Sequence, residues 1–324
     1  MRHILFGGLM VALALTACGD DSEPTGGGNG GGVAATSVSV VSGNNQRVAV
    51  SRSTLSPLVV KVSDSEGGGV SGQIVTWEVT TGGGSVSSTT TTTDGNGEAS
   101  VSLSAGSTGE DNTVTATVSS LSPASFTVKA VSPASVVITA GDGQTARTSQ
   151  PLAGDFEVRV TAGDNGPVPN LPVAWAATAG GGSLSAGSTT TDADGRASSS
   201  LTLGGAAGVN TATATPSDLP AVTLNASATV PVTVLVNMQG IAFVAPGGGD
   251  DVTIMLGDTI RWENQDGVQH TATSTSMPSG GSAFDSGFLS SGQSFTFVPN
   301  TRGEWVYFCE VHPTIMTGAR ITVQ

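Results

Sequence analysis

The chain has 324 residues, a formal charge of −14 and only two lysines, Lys61 and Lys129. So acidic a surface repels phosphate backbones, which excludes nucleic acid as a partner, and two cysteines nearly 300 positions apart exclude a disulfide framework. The length allows two to three domains, and abundant Val, Thr, Ser and Gly with Pro at turns predict an all-β protein of short strands.

At the N-terminus, Arg2 and His3 make a short basic start, and Ile4 to Leu15 is an apolar run too short to span a bilayer. It ends in Leu15-Thr16-Ala17-Cys18, which resembles the lipobox of bacterial lipoproteins. The resemblance implies that residues 1–17 are a signal peptide and that cleavage leaves Cys18 as a lipidated N-terminus. The protein is then expected in the cell envelope, held to the membrane through Cys18. Gly19 in place of an Asp favours, by the same resemblance, the outer membrane of a two-membrane cell. Residues 18–36 are Gly-, Ser- and Asp-rich, a tether reaching about 23 Å on average.

An internal repeat organises the middle of the chain. Gln73-Ile74-Val75-Thr76-Trp77 answers Leu171-Pro172-Val173-Ala174-Trp175, and Gly82-Gly83-Gly84-Ser85 answers Gly180-Gly181-Gly182-Ser183. Thr93-Asp94-Gly95 answers Thr191-Asp192-Ala193, and Asn112-Thr113 answers Asn210-Thr211, always 98 positions on. Two tandem domains follow, 37–131 and 133–232. Short alternating runs such as Phe156-Glu157-Val158-Arg159-Val160, separated by turn residues, predict β-sandwiches with the single Trp of each copy in the core. The copies resemble the bacterial Ig-like repeats of intimin- and invasin-type surface proteins, which implies spacing and display rather than chemistry. Asp94 to Glu98 and Asp192 to Asp194 fall short of a calcium loop, and hairpin turn chemistry explains them. Both copies lack histidine and any nucleophile elbow, so no catalysis is expected there.

The last segment, 233–324, carries further alternating runs: Val252-Thr253-Ile254-Met255-Leu256, Thr259 to Asn264, Ser294 to Val298, and Ala319 to Val323. Ile241 to Pro246 reads as another strand, and Trp305 to Cys309, apolar on both faces, as one covered on both sides. Some ninety residues of this kind suit a small Greek-key sandwich.

Apart from Cys18, all the chain's soft and imidazole donors outside the leader gather here. With His3 set aside, the histidines are His270 and His312, and Cys309 is the cysteine besides Cys18. Cys309, His312 and Met316 lie within eight residues. Two imidazoles, a thiolate and a weak axial thioether are the ligand set of a blue-copper electron-transfer centre. Against that stands the ordinary role of a lone Cys or Met in a β-sandwich, a buried apolar side chain. Zinc asks for four strong ligands, and this set offers three.

Gly257-Asp258-x-x-x-Trp262-x-Asn264, His270-Thr271, Phe284-Asp285-Ser286-Gly287, Gly292-Gln293-Ser294-Phe295, Tyr307-x-Cys309-x-x-His312-Pro313 and Met316-Thr317-Gly318 resemble the cupredoxins, particularly the plastocyanin, amicyanin and halocyanin group. The resemblance implies one copper ion on His270, at the end of a strand, and on Cys309, His312 and Met316, in the loop joining the last two strands. It also implies a hydroxyl of Thr271 tying the two ligand loops together, and a transient redox protein docking over Pro313 and Ile315. By the same resemblance, Phe308 beside the thiolate is expected to offer a second electron path. Pro313-Thr314-Ile315 puts three residues between His312 and Met316 where the family has two or four, so the loop is expected to take its own path. No small-molecule substrate and no enzymatic activity are expected, because no spare histidines remain for a catalytic copper. The two functions that remain are a membrane-tethered electron carrier on a two-domain stalk, and a surface-display or adhesion protein whose last domain binds copper for storage, sensing or stability.

Overall fold

The computed structural model describes residues 33–324, and among them the secondary structure is strand throughout, with no helix. The leader and Cys18 lie outside the described residues. Three successive pairs of sheets face one another across apolar cores.

In the first pair, strands Ser37–Ser42, Leu58–Ser63 and Glu98–Val101 form a three-stranded sheet. Against it stand Arg47–Ala49, Ala124–Val131, Asn112–Thr117, Ile74–Thr81 and Thr90–Thr92. The second pair repeats this order with Pro133–Ala140, Phe156–Ala162 and Arg196–Ser199 opposite Gln144–Arg147, Val222–Thr229, Gly208–Pro216, Pro172–Ala179 and Ser188–Thr190. Alternation causes the layering. Leu58, Val60 and Val62 are fully buried while Val59, Lys61 and Ser63 between them are not, because successive side chains on a strand point to opposite faces. Register repeats with sequence: Trp77 lies opposite Ala116, and Trp175 opposite Ala214. Each indole is almost wholly buried, yet its N–H donates to a threonine hydroxyl, Thr91 or Thr189, at 2.8 Å. Burying that ring therefore strands no donor. The aspartate turns behave alike: Asp94 Oδ1 accepts from the amides of Asn96 and Glu98, and Asp192 Oδ1 from those of Asp194 and Arg196.

A third pair of four-stranded sheets carries the candidate site. One sheet runs Phe243–Val244, Thr233–Met238, Thr259–Asn264, Ser294–Phe297; the other runs Val252–Ile254, Thr317–Val323, Gly303–Phe308, Thr273–Ser276. Thr233–Met238 lies parallel to Thr259–Asn264, and Val252–Ile254 parallel to Thr317–Val323, so the chain crosses between sheets rather than running as simple hairpins. The core is aromatic. Trp262 stacks on Phe284 at 5.0 Å and meets Tyr307 edge-on at 5.4 Å. Burial pushes the Tyr307 phenol upward, and its hydroxyl donates to the carbonyl of Asp250. The strand expected to be covered on both faces instead alternates: Trp305, Tyr307 and Cys309 point inward, while Val306 and Phe308 are half-buried. Cys309, just past the end of that strand, continues the alternation into the core.

Candidate metal centre

Two segments bring the donors together. The first holds His270, which the sequence reading puts at the end of a strand. In the structure it lies between strands, pinned by a two-way backbone pair with Leu289 (3.1 and 2.8 Å). Asn264 braces the same loop: its side-chain amide donates to the carbonyls of Val268 and Leu289, and its Oδ1 accepts from Asp266. Every polar atom of that buried amide is used, which leaves the loop one conformation in which its hydrogen bonds are complete.

The second segment is the Cys309–Met316 loop between Gly303–Phe308 and Thr317–Val323. It closes on itself, with the amides of Ile315 and Met316 donating to the carbonyl of His312 and the amide of Cys309 donating to the carbonyl of Met316. Three residues between His312 and Met316 make one turn with an i→i+4 bond of 2.9 Å. That spacing puts both side chains on one side of the turn. Met316 is buried, 2% exposed.

Thr271 joins the two segments. Its amide donates to Cys309 Sγ at 3.3 Å, and its hydroxyl accepts from the Glu310 amide at 2.8 Å. Both contacts fix the sulfur relative to His270, and an N–H aimed at a thiolate withdraws charge from it.

The result is a cluster of His270, Cys309 and His312 whose donor atoms all lie within 4.8 Å of one another. Cys309 Sγ stands 3.7 Å from Nδ1 of each imidazole. An ion about 2.3 Å from a thiolate and about 2.0 Å from each nitrogen, at trigonal angles, would space sulfur and nitrogen by about 3.7 Å. Both sulfur–nitrogen spacings are therefore those that one metal ion would set. His270 Nε2 lies 2.8 Å from Asp266 Oδ2, and a carboxylate there places the proton on Nε2 and leaves Nδ1 a bare lone pair. That lone pair faces the Cys309 sulfur at 3.7 Å.

Asp266 is the residue that sequence reasoning missed. Its carboxylate accepts the amides of Gly240 and Ile241 at 2.8 and 3.1 Å, and these, followed by His270, hold its carboxyl below the usual carboxylate range. Anchored so, it fixes the tautomer and ring plane of His270, the part an outer-shell carboxylate plays in histidine metal sites. The available signal was a carboxylate four positions before the upstream of the two histidines outside the leader. An Asp266→Ala chain is expected to keep its fold and to lose about 10- to 100-fold in affinity for a transition-metal ion, measured by calorimetric titration.

Around the cluster, His270 is fully buried and His312 half-buried, so one imidazole is sealed and the other reaches the surface. Pro313 and Ile315 are exposed beside it, Ile315 by 67%, and Phe308 is half-buried. Among the described residues no second cluster of metal-ligating side chains occurs.

Comparison with known proteins is sparse at the sequence level: no protein-family model and no curated protein matches the chain. Among solved structures, the chain is similar to the D0–D1 domain of intimin (19% identity, 60% of this chain, 98% of that one, TM-score 0.25). It is also similar to the adhesin InvE of Yersinia pseudotuberculosis (20% identity, 63% of this chain, 62% of that one, TM-score 0.30). The third is a methionine-to-glutamine mutant of amicyanin with Cu(I), at 17% identity over 28% of this chain and 82% of that one, TM-score 0.25.

Proposed function

We propose that the chain is a membrane-tethered carrier of single electrons, its last sandwich a blue-copper domain of cupredoxin type and its two repeats a spacer. One observation carries the reading: a buried cysteine sulfur 3.7 Å from two imidazole nitrogens, each brought in from a different loop. Soft sulfur with two imidazoles is a donor set for copper, and three strong donors fall one short of a closed zinc site. Bound there, copper would supply a one-electron Cu(II)/Cu(I) couple. The protein's share is rigidity: Thr271, Asn264, Asp266 and the Leu289 pair hold the donors before any ion arrives, so little has to move when charge changes. His312 gives the electron its way to solvent, and Phe308 a second path. Lipid on Cys18 and the tether that follows would keep the domain at the membrane.

The test is a visible and EPR spectrum of the full chain loaded with Cu(II), wild type beside Met316→Ala. An intense colour that ascorbate bleaches and an oxidant restores is expected, with the Met316 variant shifted in spectrum and potential. A protein that never colours, or that holds the metal without cycling, overturns the carrier reading. An unaltered Met316 variant removes Met316 from the ligand set.

A further inference from the structure

We infer that the metal end of the third sandwich docks a redox protein whose own docking face is basic. The inference rests on the electron-carrier reading and adds the chemistry of the partner. Two observations converge. First, the loops around the donors expose apolar side chains: Ile315 is 67% exposed and Val311 39%, while Phe288 (64%) and Val268 (50%) flank the His270–Leu289 pair. Surface of that kind is the usual centre of a small protein interface.

Second, every formal charge on those loops is negative. Glu310 follows the thiolate, Asp285 bonds Thr273 next to Thr271, and Asp266 holds His270. Asp250 shares a cleft with Ile315 and Met316. No Lys or Arg occurs between Arg261 and Arg302 or between Arg302 and Arg320. The three arginines of this sandwich are committed elsewhere: Arg261 pairs with Glu263, Arg320 with Glu304, and Arg302 donates to Pro151 of the second sandwich.

An apolar centre rimmed by carboxylates alone complements an apolar patch rimmed by Lys and Arg. It repels a second copy of itself, which would bring the same carboxylates face to face, and it repels phosphate groups and anionic lipid surfaces. Potentials of one sign steer association over about a Debye length, ~10 Å at 0.1 M salt, and fade as salt rises.

The first arm of the test needs no copper. Two redox-inert paramagnetic complexes, hexaamminechromium(III) and hexacyanochromate(III), are added to the metal-free full chain, and amide line broadening is mapped by NMR. The cation is expected to broaden residues 266–272, 285–289 and 309–316 selectively, and the anion to leave them sharp. The second arm uses the copper-loaded, reduced chain with tris(phenanthroline)cobalt(III) or ferricyanide as oxidant. From about 10 to about 200 mM salt, the rate with the cobalt cation is expected to fall at least about threefold and that with ferricyanide to rise. At low salt, the pair Glu310→Gln with Asp285→Asn should slow the cobalt reaction about threefold. The pair Glu66→Gln with Glu78→Gln, the same charge change on exposed residues of the first sandwich, should leave it unchanged. A chain that fails to cycle copper overturns the carrier reading on which the partner depends, even where the broadening map shows the acidic face. A cycling chain with broadening elsewhere, a flat salt response, or equal effects from the two variant pairs overturns the basic partner alone.

Discussion

A Cys309→Ser chain is expected to lose copper affinity by more than about 100-fold, beyond the upper end of what losing an outer-shell partner costs, and to lose the thiolate colour altogether. The reason is geometric. The sulfur stands 3.7 Å from Nδ1 of both imidazoles, and it is held by the amide of Thr271 and buried just past the end of its strand. A serine hydroxyl keeps the volume roughly but stays protonated and hard, a poor partner for a soft ion. The competing account makes Cys309 a packing residue. In that case the substitution buries a hydroxyl at a cost of about 1–3 kcal/mol and leaves metal uptake where it was. Equilibrium dialysis against Cu(II), beside a thermal melt, separates the two. Full uptake by a destabilised protein would leave Cys309 as packing and the donor cluster without a metal role.

The ligand cluster is legible in the sequence because its chemistry is rare there. Once the leader is set aside, two histidines and one further cysteine leave hardly any other way to build a donor set. The repeats are legible because alternation of period two and an offset of 98 survive in the residues themselves. What the sequence hides depends on backbone conformation. Ile241 to Pro246 reads as a strand, yet the strand is only Phe243–Val244. Gly240 and Ile241 ahead of it take left-handed φ values of 63° and 58°, which aims both amides at Asp266. A β-branched residue pays for that conformation in strain, and here two hydrogen bonds to a carboxylate offset it. Ile241 looks like a strand former and instead anchors the residue that orients His270. No local pattern discloses this, because the three parts come from separate segments. The same holds for Arg147 and Asp258, which meet across 111 positions.

That pair carries the largest stability effect expected outside the cores: Asp258→Ala should destabilise the protein by about 3–5 kcal/mol. Asp258 is 1% exposed, with three hydrogen-bond donors and one further ion-pair contact around its carboxylate. Arg147 Nε stands 2.7 Å from Oδ1 and Nη2 donates to Oδ2 at 2.9 Å, while the amides of Val232 and Met255 supply the other two. Removing the carboxylate strands two backbone N–H groups and a guanidinium that is only 15% exposed. Arg147→Ala should cost less, since Asp258 keeps its two amides, and the double variant should cost less than the two single losses together. Denaturant unfolding followed through Trp262 and Trp305 reads all three, with a loss below about 1 kcal/mol marking the pair as an ordinary solvated contact. The effect belongs to the junction and not to the metal. Arg147, which also donates to Thr229 within the second sandwich, meets Asp258 of the third, and Arg302 of the third reaches back to Pro151, so these contacts join the two sandwiches. Metal affinity per folded molecule should therefore stay at the wild-type value in Asp258→Ala, because Thr271, Asn264 and Asp266, which hold the donors, make none of their bonds through this pair.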